Sequence, residues 1–217
     1  MRLAVPQGGG WLVFWLLVLA GAALFLLDEI GTMLDRYAAK DFRWSIRPVF
    51  VVTHFALALP ILLFAPLQFS ARLRRSWPGL HHWIGTVYLA ASALAALLAI
   101  YLGVTIQFTG SRVPLVIFGT LWLAFTAAAW QTARRRDFVA HQRFVVRGVA
   151  LALAFVWVRV MGIWEDQLFG FMKGELRGTT REWLSFVLPL LAVETWLTWW
   201  PSARRSFRPV CDRPSRE

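Results

Sequence analysis

Six uninterrupted apolar stretches constrain this chain more than any other feature, because each is close to the roughly 20 residues a helix needs to cross a bilayer. They run over 11–27, 48–69, 82–104, 113–131, 144–164 and 183–200. Hydrocarbon offers no water to peptide groups, so a spanning segment must satisfy its own backbone as a helix. The sequence therefore predicts an all-α, polytopic transmembrane bundle of about six helices with helices two to five as its core. Residues 1–217 form one integral membrane domain, in which 201–217 is a basic cytoplasmic tail. Mostly short connections make consecutive helices antiparallel neighbours. A composition of 58% hydrophobic and 16% charged residues agrees with this class. The single cysteine, Cys211, argues against a disulfide framework and against a Cys-based metal site.

The first stretch follows Arg2 and passes small residues at Ala20, Gly21 and Ala22, a pattern that also fits a cleaved signal peptide. Its apolar run continues to Leu27, which favours a retained helix. Proline at 60 and 66 predicts a kink in helix two. The outer segment from Glu165 to Glu182, with Phe169, Phe171, Met172 and Leu176, reads as an interfacial helix on the outer leaflet.

Orientation follows from the cations. Placing the amino terminus, the loops near 72–75 and 134–147 and the carboxyl tail on one side gathers Arg2, Arg72, Arg74, Arg75, Arg134, Arg135, Arg136, Arg143, Arg147 and the tail arginines there. That side is the cytoplasm of an inner (plasma) membrane, with both termini inside. The formal net charge of +11 is then topogenic and directed at anionic lipid on the cytoplasmic face, with no nucleic acid implied. A membrane-protein partner is a further reading of the polar positions below.

Two of the cytoplasmic turns look alike. RLRRSWPGLHHWIG, Arg72 to Gly85, and ARRRDFVAHQRFVVRG, Ala133 to Gly148, each place arginines just before a histidine that opens an apolar helix. His81 and His141 lie sixty positions apart at the same predicted depth. Gly85 and Gly148 fall four and seven residues on, so each shares its histidine's helix face. Such faces suit a b-type haem ligated by His81 and His141, with His82 as a second candidate ligand and Arg74, Arg75 or Arg143 available for the propionates. The plainer account is that interfacial histidines cap helices or meet headgroups while the glycines admit close packing.

Other ionisable groups lie at hydrocarbon depth, where each is costly and therefore informative. His54 and Arg159 share an outer depth with Tyr101. Glu194 and Arg147 share an inner one, where an ion pair would pin helix six to helix five. The polar positions thus fall into an inner layer of His81, His82, His141, Arg147 and Glu194 and an outer layer of His54, Tyr101 and Arg159.

These residues resemble the bacterial predicted membrane proteins catalogued as domain of unknown function twenty-three-zero-six. The likeness rests on the histidine of THFALALP, on APLQF, on the turn formed by Arg75, Pro78 and His81, on Gly85 and Tyr88, and on His141, Arg147 and Arg159. It covers roughly residues 48–165. His82 stands where the family usually has Arg, and Val145-Val146 where it has Trp-Met, so either of the paired histidines can be the one that acts. The resemblance implies a polytopic inner-membrane protein without naming a reaction. At the level of fold the chain is also similar to membrane cytochromes of the b561 type, although those carry more histidines, in pairs for two haems.

No phosphate loop, zinc motif or nucleophile elbow is present in the sequence, and no enzymatic reaction is assigned beyond a redox role. Three functions follow from these readings: haem-based electron transfer at His81 and His141, with Arg75 and Arg147 as cofactor-binding cations; non-enzymatic transport, or assistance to transport, through His54 and Arg159; and a structural or assembly role in a membrane complex.

Overall fold

The computed structural model describes residues 9–38, 47–105 and 109–199, apart from some side chains of the first two helices, His54 among them. Regular structure in those residues is helical throughout: α1 (Gly9–Ala38), α2 (Arg47–Gln68), α3 (Ala71–Ser76), α4 (Pro78–Thr105), α5 (Thr109–Arg134), α6 (Phe138–Ala152), α7 (Ala154–Ile163), α8 (Glu165–Phe169) and α9 (Glu175–Glu194), closed by a π-helical turn over Thr195–Trp199. Among the described residues, three helical segments are long and apolar enough to cross a membrane: Pro78–Thr105, Gly110–Arg134 and Phe138–Ile163. The all-α helical bundle expected from the apolar stretches is the architecture observed.

Helices α4 and α5 pack most closely, and small residues make this feasible. Ala95, Ala96 and Ala99 line the buried face of α4. Opposite them, a Cβ on Gly119 would stand 2.7 Å from Ile100 Cγ1 and 2.9 Å from the Ala96 carbonyl oxygen. Only glycine lets the two backbones approach this far, as at other small-residue contacts between membrane helices. The neighbouring face of α5 carries the large core: Phe118 and Trp122 meet Phe155, with ring centroids 5.5 and 6.2 Å away, and Phe118 lies 5.7 Å from Phe186. Trp122 is 1% exposed, enclosed beside Ile61, Ala95, Ala152 and Phe155.

Three elements differ from the sequence expectation. The fifth stretch is divided at Leu153, where the Leu153 carbonyl accepts from both Val156 and Trp157 N–H at 3.0 Å. Neither proline nor glycine marks that break. The sixth begins at Glu175, about two turns before the expected start, and holds Pro189 within it. The outer segment 165–182 is a short helix α8, a turn, and the first turns of α9. Gly174 makes that turn at φ +59°, a left-handed conformation that side-chain-bearing residues disfavour. Arg181 Nη1 bonds Glu165 Oε2 at 2.5 Å and Arg177 Nη1 bonds Asp166 Oδ1 at 2.9 Å, strapping α8 to α9. These pairs use the charges that made the segment look amphipathic.

Candidate functional site

Both histidine-bearing turns are built by local capping. Ser70 Oγ accepts from Leu73 N–H at 3.2 Å to start α3, and α4 then opens on Pro78, whose missing N–H suits a first helical position. Asp137 caps α6 by accepting from Ala140 N–H at 3.1 Å. The tight turn before it is made by Arg136 at φ +59°. Both devices place a histidine in the first turn of a helix, His81 on α4 and His141 on α6.

His141 is held by a specific bond: its Nδ1 lies 2.8 Å from the carbonyl oxygen of Ala129 on α5. A carbonyl can only accept, so Nδ1 is the donor here, and in the neutral imidazole the lone pair is then left on Nε2. His81 is half-buried, and its Nδ1 is buried without a hydrogen-bond partner. Its imidazole is within electrostatic reach of Arg74, His82 and His141. His82 is exposed on the other side of the first turn of α4, its ring centroid 6.1 Å from that of His81. The end of α2 is fastened here: Gln68 Nε2 donates to the His81 carbonyl at 3.4 Å and Arg74 Nη1 donates to the Gln68 carbonyl at 2.9 Å. A Cβ on Gly85 would come within 3.1 Å of Gln68 Oε1, whereas a Cβ on buried Gly148 would meet nothing within 4 Å. Space therefore lies beside α6 on the face it shares with His141. Arg75 is exposed at the same edge.

Arg147 and Glu194 come together as the depth argument expected. Arg147 Nε donates to Glu194 Oε1, and Nη2 donates to Oε2 at 2.9 Å. Thr198 Oγ1 adds a bond to Oε2 at 3.3 Å, and the guanidinium carbon lies 5.8 Å from the Phe144 ring centroid. Position 147 lies about 240° around α6 from position 141 at 100° per residue, so this pair looks toward α9 and not toward His141. In the outer layer, Tyr101 and Arg159 are both exposed, and the side chain of His54 lies outside the described residues. Among the described residues no group of three or more His, Cys, Asp or Glu side chains could hold a metal ion.

Two polar groupings escaped the sequence reading. Tyr88 and Ser92 follow His81 and Gly85 along one face of α4, at spacings of seven and eleven residues from the histidine. They are 3% and 1% exposed. Their hydroxyls are in reach of one another, yet neither has a partner in good hydrogen-bond geometry. Helical spacing from His81 was the signal that could have found them. Nearer the outer ends of α5 and α9, Ser111 Oγ donates to Glu182 Oε1 at 2.9 Å, and Glu182 Oε2 is buried without a partner. Burial raises the Glu182 carboxyl above its ordinary value, against the opposing effects of Ser111 and the Arg181 charge. In the sequence Glu182 merely ends the outer segment 165–182, and only the three-dimensional packing singles it out.

Residues 51–198 match the family model described as "Predicted membrane protein (DUF2306)". The chain belongs to this family. The match spans α2 through the π-helical turn, and thus includes both histidine turns and the Arg147–Glu194 pair. No curated protein and no solved structure matches the chain. Membership establishes a membrane protein of the DUF2306 family.

Proposed function

We propose that this DUF2306 protein is a multi-pass inner-membrane protein, with both termini in the cytoplasm, that binds one b-type haem between His81 and His141 and passes electrons through it. The observation that carries the reading is the His141 Nδ1 contact with the Ala129 carbonyl at 2.8 Å. Metal-ligating histidines characteristically donate their second ring nitrogen in this way, which fixes the tautomer and aims the other lone pair. His81 adds a half-buried imidazole with an unpartnered ring nitrogen on the neighbouring turn.

Two imidazoles are too few for a bare ion, which takes four or more ligands, but they match a macrocycle that brings four nitrogens of its own. Open space adjoins Gly148 on the His141 face, the side of α6 on which such a ring would lie. Once bound, haem supplies one-electron redox chemistry. The chain's own part is to orient two imidazoles: Asp137 and the Ala129 carbonyl hold His141, while Gln68 holds the first turn of α4. Arg75, exposed at the cytoplasmic edge, and Arg74 supply cations for the propionates. Arg147 is engaged with Glu194 and serves helix packing.

Haem content per protein, measured as the pyridine complex after expression with haem precursor, tests the assignment. One haem per chain is expected, falling at least tenfold in His141→Ala and in His81→Ala while His82→Ala keeps it. A chain with no haem, or with haem unchanged in both variants, overturns the reading.

A further inference from the structure

We infer that the partly open cavity between α1, α6, α7 and α9 is a binding site for an anionic phospholipid of the inner leaflet, which lays one acyl chain into the groove and sets its phosphate at Arg143. The cavity holds about 290 Å³ and is lined only by apolar and aromatic side chains, among them Phe69, Val149, Leu153, Trp157, Pro189 and Val193. Trp157 and Trp196 are 41% and 39% exposed at its lip, so it opens sideways from the bundle. A groove open to hydrocarbon and without a hydrogen-bonding wall fits a chain of methylenes far better than a ring bearing carbonyls.

Length and charge identify the ligand further. The lining positions of α6 and α7 run from Val146 to Trp157, eleven residue steps or about 16 Å at the helical rise. That is about half of the roughly 30 Å hydrocarbon core, the depth of one leaflet. Arg143, one turn nearer the cytoplasm than Val146 and Arg147, is exposed. It lies about 200° around α6 from His141, on the groove side of the helix and away from the proposed haem. The carboxylate of Glu194, next to the lining residue Val193, is neutralised by Arg147, so a phosphate at the mouth meets the Arg143 cation. This inference does not depend on haem binding.

The test is native mass spectrometry of the full chain released from nanodiscs of equal phosphatidylglycerol and phosphatidylcholine. The wild type should retain one phosphatidylglycerol with about fivefold preference, the effect of one arginine at the membrane surface. Arg143→Gln should retain one lipid of either headgroup with that preference gone, whereas Arg136→Gln, on the exposed turn, should keep it. Ala192→Phe, which fills the groove from an exposed lining position, should retain no lipid while keeping helical content and thermal midpoint. Retention of lipid by Ala192→Phe, an undiminished preference in Arg143→Gln, or recovery of a fatty acid or quinone in place of phospholipid each overturns the proposal. Should Ala192→Phe lose its helical content, Val193→Phe is read in its place by the same criteria.

Discussion

Removing the carboxylate of Glu194 tests how α9 is held to the rest of the bundle. The Arg147 and Glu194 side chains are 15% and 35% exposed, between a surface ion pair, worth about 0–1 kcal/mol, and a buried one, whose breakage costs about 3–5 kcal/mol. Glu194→Ala leaves the Arg147 guanidinium with the Arg143 carbonyl at 3.4 Å and the face of Phe144. A loss of about 2–3 kcal/mol is expected, less than a fully buried pair because Glu194 keeps partial access to water and headgroups. For a chain of 217 residues each kcal/mol moves the thermal midpoint by about 2–4 °C, so the detergent-solubilised variant should melt about 4–12 °C lower. The double variant Arg147→Met/Glu194→Leu should recover most of that loss, since an apolar pair of similar volume often replaces an ion pair at little cost. Thermal scans of the wild type, Arg147→Met, Glu194→Leu and the double variant form a cycle. Midpoints within about 1 °C of wild type in both singles, or a strictly additive double, would refute the claim that this pair pins α9 to α6.

Gly119→Val should destabilise by about 1–3 kcal/mol or more, seen as a lower melting point, because its Cβ would press on the Ala96 and Ile100 backbone. Tyr88→Phe removes a buried hydroxyl that lacks a well-formed partner and should leave the melting temperature unchanged or raise it. Glu182 holds its proton more tightly folded than unfolded, so its share of stability is fully present below the ordinary carboxylate range and declines as pH rises through its raised folded value. Glu182→Gln should therefore show a smaller drop in melting temperature between pH 5 and pH 8 than the wild type; an equal drop counts against Glu182 as the cause.

The sequence carried the bundle because apolar runs of spanning length leave the backbone no alternative to helix. It carried the Arg147–Glu194 contact for a related reason: two opposite charges at the same depth are each costly alone. It did not show the break at Leu153, since the stretch around it has no helix breaker; the segment beyond the break packs against α9 and α1. The Ser111–Glu182 bond was equally hidden, because a serine in the loop-like run TGSR gives no signal and a glutamate at a span's edge looks like loop. For the histidines, the turn and glycine spacing were legible, while the Ala129 carbonyl that fixes the His141 tautomer is a backbone atom no side-chain pattern announces. Nor did the arginine-rich turn reveal its division of labour, which follows from where 141, 143 and 147 fall around α6.

The most direct measurement of the central claim is the reduced-minus-oxidised absorption spectrum of the purified full-length protein after haem-supplemented expression. Ligation of haem by His81 and His141 would give a sharp Soret band that shifts on reduction, with resolved α and β bands, all lost in His141→Ala. A featureless difference spectrum, or one that survives the loss of both His81 and His141, would contradict haem ligation by this pair.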